Sequence, residues 1–313
     1  MTAAGANSAS PAEREPAARP ATVAVLGPGG VGGLVGALLA RAGHRVICLA
    51  GTATADALRR DGLTVSSAQY GDFTVPVEAD TELREQVDVC FVTVKQTALA
   101  DALERIPAGA LGGGLVVPLL NGVEHVAVLR EHFPPERVIA ATITVESTRV
   151  APGRIEHGGL HPAIRMAPLR SPDPAVDRLT GLLAEAGLKA ATAADETETL
   201  WGKLCFLAPM ALLTTRYGLT AGGARTERRA ELHAVIAEVT AVARAAGAPV
   251  TAEDIQQRFD AAPPTMKSSM LRDAEAGRPL ELDAIGGAVL RAAEALGVAA
   301  PVTRRIVTEL RAR

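Results

Sequence analysis

Short apolar runs alternate with stretches of helical spacing through the first half of the chain. Residues 23–26 form a run of the kind a strand covered on both faces shows. The run stops at Gly27-Pro28-Gly29-Gly30-Val31-Gly32. Residues 31–42 then read as a helix ending at Gly43, and 45–50 as the next strand: one βαβ unit. A helix over 54–61 follows, then apolar strands at 87–94 and 115–120 with helical spacing over 97–105 between them. Strands alternating with helices predict a parallel sheet covered on both faces. Near residue 140 the pattern changes, and 140–150 and 154–166 read as strands separated by a turn at Pro152-Gly153. From Asp195 onward the spacing is helical throughout: 196–217, 225–246, 252–259, 280–296 and 302–311. The pattern divides the chain at about residue 194 into an α/β domain over 21–194 and a helical domain over 195–313. Residues 1–20, rich in Ala, Pro and Ser, read as a disordered leader.

Composition narrows the field. A chain of 313 residues fits about two domains. With 32 Lys and Arg against 35 Asp and Glu, the net charge of −3 gives no footprint for nucleic acid or an anionic membrane. Apolar residues make up 48 %, enough for a sizeable core. Only one Trp, two Tyr and five Phe are present, so the core is aliphatic and base-stacking platforms are not expected. Cys48, Cys90 and Cys205 are odd in number and widely spaced, which argues against a disulfide framework or a thiolate metal site. No apolar run approaches the ~20 residues of a membrane helix. A cytoplasmic location is the expectation.

The candidate chemistry begins at the glycine loop. Gly27-x-Gly29-x-x-Gly32 follows a strand and opens a helix. The first glycine permits the turn, the second admits a pyrophosphate to the backbone, and the third allows close helix–strand packing. The helix N-terminus adds N–H donors. This is the signature of a Rossmann-type dinucleotide site, with a packing turn as the bland alternative. The second strand ends Cys48-Leu49-Ala50-Gly51-Thr52, with no acid to hold ribose hydroxyls and no Arg to meet a 2′-phosphate. Thr52, Thr54, Arg59 and Arg60 are the nearby candidates. Ligands bind outside the carboxyl ends of strands in such sheets. Lys95 and Asn121 stand there, although a solvated lysine and an Asn-Gly turn would also explain them.

In the helical half, Asp195-x-x-Glu198 reads as a capping pair. The helix it opens is apolar on nearly every face. Lys203 is the only charge between Glu198 and Arg216, and Pro209 predicts a kink. Burial lowers a lysine's pKa and suits it to donate a proton near neutrality. Further on, Ser268 and Ser269 can cap a short helix, and Glu281 and Asp283 read as first-turn acids. His157-x-x-x-His161 lacks a third ligand nearby, so no metal site is expected. Arg225, Arg228 and Arg229 read as a solvated helix start, and Cys205 as a core thiol.

Over residues 22–310 this ordered set of segments resembles the ketopantoate reductase family. The resemblance rests on the glycine loop, Val94-Lys95-Gln96, Asn121-Gly122 and Trp201-Gly202-Lys203-Leu204. It rests most specifically on Ser268-Ser269-Met270-Leu271-Arg272-Asp273 and Gly277-Arg278-Pro279-Leu280-Glu281-Leu282-Asp283. It implies reduction of a small 2-keto acid, 2-dehydropantoate, with NADP(H), in the pathway to pantothenate and coenzyme A; the sequence leaves NAD(H) open. It implies Lys203 as general acid and Glu281 as the carboxylate that binds the substrate's hydroxyl. It further implies Asn121, Ser269 and Lys95 as substrate ligands. The cofactor would lie on Gly27, Pro28, Gly29, Gly30, Val31, Gly32 and Thr52, and against Lys95, Asn121 and Glu281.

Departures from the family's pattern bear on substrate and cofactor. Two asparagines that follow the lysine in pantoate-forming members are Leu207 and Ala211 here. The Asn-Gly after the Glu-x-Asp stretch is Gly286-Gly287, and the arginine that reads the 2′-phosphate is Gly51. A reductase of a less polar keto acid, another hydride transfer on the same scaffold, or a non-catalytic NADP(H) sensor are the competing readings. The Ala/Leu-rich helices leave a homodimer open.

Overall fold

The computed structural model describes residues 19–107, 109–159 and 161–313; the expected leader falls largely on residues 1–18, outside them. The first part runs β1 (Thr22–Leu26), α1 (Gly30–Arg41), β2 (Arg45–Leu49), α2 (Thr52–Asp61), β3 (Leu63–Ser67), β4 (Phe73–Val75) and β5 (Glu78–Asp80). It continues through β6 (Val89–Val92), α3 (Leu99–Leu103), β7 (Leu115–Pro118) and α4 (His125–His132). Then come β8 (Ala140–Thr144), β9 (Ser147–Ala151), β10 (Arg154–His157), β11 (Ala163–Ala167), α5 (Pro174–Glu185) and β12 (Lys189–Thr192). The remainder is helical among the described residues. It comprises α6 (Glu196–Tyr217), α7 (Ala221–Glu227), α8 (Arg229–Ala245), α9 (Ala252–Ala261), α10 (Ser269–Glu275), α11 (Ala288–Ala295) and α12 (Pro301–Arg311).

Strands β5-β2-β1-β6-β7 form a fully parallel sheet. Its apolar runs are continuous because both faces are covered. Val23 and Val25 face Leu34 and Leu38 of α1, while Ala24 and Leu26 face Leu99, Leu103 and Leu129. The expected α/β fold with a helical second half is what the chain forms.

Two expected strands are each divided in two. Residues 140–150 split into β8 and β9, and 154–166 into β10 and β11. The halves of each join different sheets: the outer pieces β8 and β11 pair in β12-β11-β8, and the inner pieces β9 and β10 in β4-β3-β10-β9. The side chains explain the break. β8 is buried through its first four residues, whereas β9 is half-exposed, so one straight strand cannot serve both. The expected helix 225–246 is likewise two, α7 and α8, separated at Arg228. Nor is Arg225 a solvated helix start: its Nη1 donates to the carbonyls of Phe259 and Ala262 at 2.9 and 3.0 Å, capping the end of α9. The expected helix 280–296 begins with a π-helical turn, Asp283–Gly287, before α11.

α6 continues through Pro209 as one helix, and beyond its end at Gly218 (φ +65°) the chain turns by 80° into α7. Among the described residues no single helix is long and apolar enough to cross a membrane. Trp201, Leu204, Cys205, Ala208 and Ala211 bury α6 in the helical core.

Five ion pairs join the two halves among the described residues. They are Lys95–Asp273 at 2.7 Å, Arg291–Glu124 at 2.6 Å, Arg165–Glu198 at 3.7 Å, Arg130–Glu196 and Arg272–Glu146.

Candidate active site

At the carboxyl end of β1 the backbone of the glycine loop is held before any ligand arrives. Gly27 has φ +85°, a conformation that favours glycine. A Cβ on Gly32 would stand 2.1 Å from Thr93 Oγ1, and one on Gly30 would stand 2.4 Å from the Ser147 carbonyl oxygen. Gly29 is different, since the nearest atom to its would-be Cβ is 3.8 Å away, so this face of the loop is open. Thr93 Oγ1 lies 2.7 Å from the Gly27 carbonyl, and Ser147 Oγ donates to that of Gly30 at 2.8 Å. The first turn of α1 contains no acid, and its leading N–H groups lack helical acceptors. Tight backbone, an open face and free donors fit a dinucleotide pyrophosphate. Pro28 and Val31 belong to the same turn.

Thr52 opens α2, capped by Gly51, whose would-be Cβ has nothing within 4 Å. Arg59 is engaged elsewhere, with Asp56 at 2.6 Å and the Ala79 carbonyl at 2.7 Å, and Arg60 pairs with Asp61. Asp80, beside the tip of β2, is matched by Arg84 at 3.0 Å.

Three segments distant in sequence meet across the seam. Lys203 Nζ donates to Asn121 Oδ1 at 2.9 Å, and Asn121 Nδ2 donates to Glu281 Oε2 at 3.1 Å. Asn121 ends the β7 segment, Lys203 lies in the second turn of α6, and Glu281 precedes the π turn rather than opening a regular helix. Burial draws the Lys203 ammonium down to about 8, against the opposing pull of Glu281. A lysine in this state is charged at neutrality yet gives up its proton readily.

Lys95 stands beside this chain of bonds. Its Nζ contacts Asp273 Oδ2 at 2.7 Å, and the Pro279 carbonyl lies 3.5 Å away, two residues from Glu281. The buried Asp273 also accepts from Arg278 Nε at 2.8 Å. Ser269 is exposed in the first turn of α10; the helix is capped by the buried Ser268, which accepts from Leu271 N–H and bonds Thr214 Oγ1 at 2.7 Å. Ser269 and Thr52 make no direct bond to the Lys203–Asn121–Glu281 chain.

The residues set aside have structural surroundings. His157 is buried with Nδ1 2.9 Å from Ser67 Oγ, and its ring lies 5.4 Å from that of Tyr70. Cys205 is buried, and desolvation pushes its thiol up to about 12. Sequence reasoning missed Thr93 and Ser147 behind the loop, and Asp273 as the partner of Lys95. It also missed His125, which is 1 % exposed at the start of α4. A polar residue inside an apolar strand end was the available signal for Thr93; none marked the others.

A parallel sheet with a glycine loop, facing a helical half across a half-buried lysine and a carboxylate, defines the class of dinucleotide-dependent oxidoreductases. Two family models, "Ketopantoate reductase PanE/ApbA" and its C-terminal counterpart, match residues 23–171 and 195–313. A 2-dehydropantoate 2-reductase of Mycobacterium tuberculosis is 32 % identical over 297 residues, covering 93 % of this chain and 97 % of the relative. The solved ketopantoate reductase of Ralstonia eutropha JMP134 superposes with a TM-score of 0.83 at 29 % identity, covering 93 % and 97 % of the two chains. A D-mandelate dehydrogenase solved with NADH and anilino(oxo)acetate has a TM-score of 0.85 at 21 % identity, over 93 % and 97 %, a likeness of fold alone. The chain belongs to the ketopantoate reductase family, whose members are nicotinamide-dinucleotide oxidoreductases.

Proposed function

We propose that the protein reduces 2-dehydropantoate, or a closely related 2-keto acid, to the 2-hydroxy acid with NADPH, and that Lys203 is the general acid. The observation that carries this reading is the Lys203–Asn121–Glu281 chain, with its half-buried lysine drawn down to about 8. The nicotinamide, when bound, supplies hydride to the ketone carbon. Negative charge then builds on the ketone oxygen. The Lys203 ammonium stabilises that charge and transfers a proton to it. Asn121 fixes the ammonium through its Oδ1 and steadies Glu281 through its Nδ2. Glu281 is the acceptor for a substrate hydroxyl. Lys95, held by Asp273, keeps a positive charge at the cleft for the substrate's carboxylate or the cofactor, and Ser269 adds a hydroxyl from the helical side.

NADPH is favoured by the tip of β2. No carboxylate follows Leu49, the first turn of α2 is free of acid, and Asp80 is matched by arginine. The reading of NADH instead draws on the NADH-bound D-mandelate dehydrogenase of the same fold.

A less polar keto acid is the second substrate reading, and a specific observation favours it. Leu207 lies one turn beyond Lys203 and is partly exposed, so the position offers methyl groups where an amide would bind. Ala211, one turn further, is fully buried in the helical core and does not itself line an open surface. Leu207→Asn is therefore expected to raise kcat/KM for 2-dehydropantoate more than Ala211→Asn, which buries an unpaired amide.

Oxidation of NADPH and NADH with 2-dehydropantoate and a panel of 2-keto acids, in wild type and Lys203→Ala, tests the proposal. Lysine-dependent turnover of 2-dehydropantoate supports it. Turnover of another keto acid alone moves the assignment to the second substrate. Cofactor binding with no turnover on any keto acid overturns catalysis in favour of a sensor.

A further inference from the structure

A charged lysine carries three N–H donors. On the reading of Lys203 as the acid, one goes to Asn121 Oδ1 and one to the ketone oxygen. The third has no acceptor within hydrogen-bond distance among the described residues.

His125 has the complementary deficit. It is 1 % exposed, and neither Nδ1 nor Nε2 has a hydrogen-bond partner among the described residues. Buried polar atoms are rarely left so, and each such case calls for an explanation. A neutral imidazole offers one acceptor nitrogen and one N–H.

Asn121 links the two, since Lys203 bonds it and His125 follows it by four residues. His125 begins α4, four residues beyond Asn121, and the intervening turn is pinned to the helical half at three points. Asn121 bonds Glu281. Gly122 lies so close to the next segment that a Cβ would stand 2.5 Å from the Ala284 carbonyl oxygen. Glu124 pairs with Arg291. The charged groups around this turn are therefore Lys203, Glu281, Glu124, Arg291 and the Asp283 that pairs with Arg291 at 3.0 Å. Burial, and then the charge of Lys203, push the imidazole down to about 4, so it is uncharged at neutral pH. An uncharged ring is an acceptor beside an ammonium, where a charged one would repel it.

We propose that His125 is a positioning residue for the proton donor: its unpaired ring nitrogen accepts the third N–H of Lys203 through one buried water. Asn121 and His125 together then leave a single N–H, aimed at the ketone oxygen. The inference rests on Lys203 being the acid, and the experiment separates the two.

His125→Phe removes the acceptor at similar volume, and His125→Asn returns one. The Phe variant is expected to lose about tenfold in kcat with KM unchanged, and its alkaline limb is expected to move down by about one pH unit, the size of a charged hydrogen bond. The Asn variant should recover part of both. A folded Phe variant with wild-type kcat and pH profile overturns the proposal, as does equal loss in both variants. A second measurement needs no substrate. In protein with 15N-labelled histidine, Lys203→Met should move the His125 acceptor nitrogen toward the resonance of a free imidazole nitrogen. A moved signal supports the pairing even if no keto acid is turned over, and an unmoved one overturns it even if Lys203 proves to be the acid.

Discussion

The glycine loop and the lysine site are built in opposite ways. The loop is almost entirely backbone, formed within one short segment and backed by Thr93 and Ser147. The lysine site is entirely side chains, drawn from β7, α6 and the segment before the π turn, and it exists only because two halves meet. A local backbone cradle tolerates variation everywhere except at a few atoms. A site assembled across a seam depends on each contributor's charge and on the burial its neighbours impose. Cofactor binding should therefore survive changes that abolish the chemistry, and the reverse should hold for changes in the loop.

The largest separation is expected from Lys203→Met. Loss of the acid should lower kcat by about 10²–10⁴-fold while cofactor affinity, read by fluorescence titration, stays put. In wild type the same lysine should give kcat an alkaline limb near pH 8, because activity needs the charged form and its pKa is drawn down to about 8. A limb unchanged from pH 7 to 10 would count against the assignment.

Next in size is acid stability. His125 titrates at about 4 when folded and at 6.5 in an open chain, so the unfolded state binds more protons between these values. Stability is thus intact above pH 6.5 and falls as pH drops toward 4, by about 3 kcal/mol from this residue. Urea denaturation of wild type and His125→Phe across that window should show the slope flatten in the variant.

On the loop side, Gly32→Ala puts a methyl 2.1 Å from Thr93 Oγ1 and 2.7 Å from the Gly27 carbonyl oxygen. Cofactor Kd should rise about 10- to 100-fold, as overpacking shifts the loop, with little change in the pH limb of saturated enzyme. The smallest effect is expected at Gly51→Arg. Its side chain enters open space, and the NADPH over NADH preference should rise about 1.5- to 5-fold, the value of one exposed charge pair. An unchanged ratio would place the 2′-phosphate elsewhere.

What could be read from sequence follows the same division. The loop was legible because strand, glycines and helix are contiguous. Lys203 was legible because a charge on an apolar helix is conspicuous, and Asn121 and Lys95 because strand ends mark ligand sites. Glu281 looked like a first-turn acid, and only the family resemblance gave it a role. His125 carried no signal, since nothing in the local pattern marks it as buried. The mixed sheets were harder still. Their strands are short and unevenly exposed, so β8 and β9 merged in the pattern although they belong to different layers. For α5, Asp173 as cap and Pro174 in the first turn were readable cues that the apolar spacing alone did not use.

The five ion pairs of the seam alternate in direction. The sheet-bearing half offers Lys95, Arg130 and Arg165 with Glu124 and Glu146, and the helical half answers with Asp273, Glu196 and Glu198, Arg291 and Arg272. Each side thus presents charges of both signs, and the paired charges sum to zero. Such pairs add little to affinity where they are exposed, but they act as a key for alignment. A rotation or slip of one half over the other would set like charges face to face. The seam therefore selects one docking among the many that its apolar contacts alone would accept, and that docking is the one in which Asn121 stands between Lys203 and Glu281.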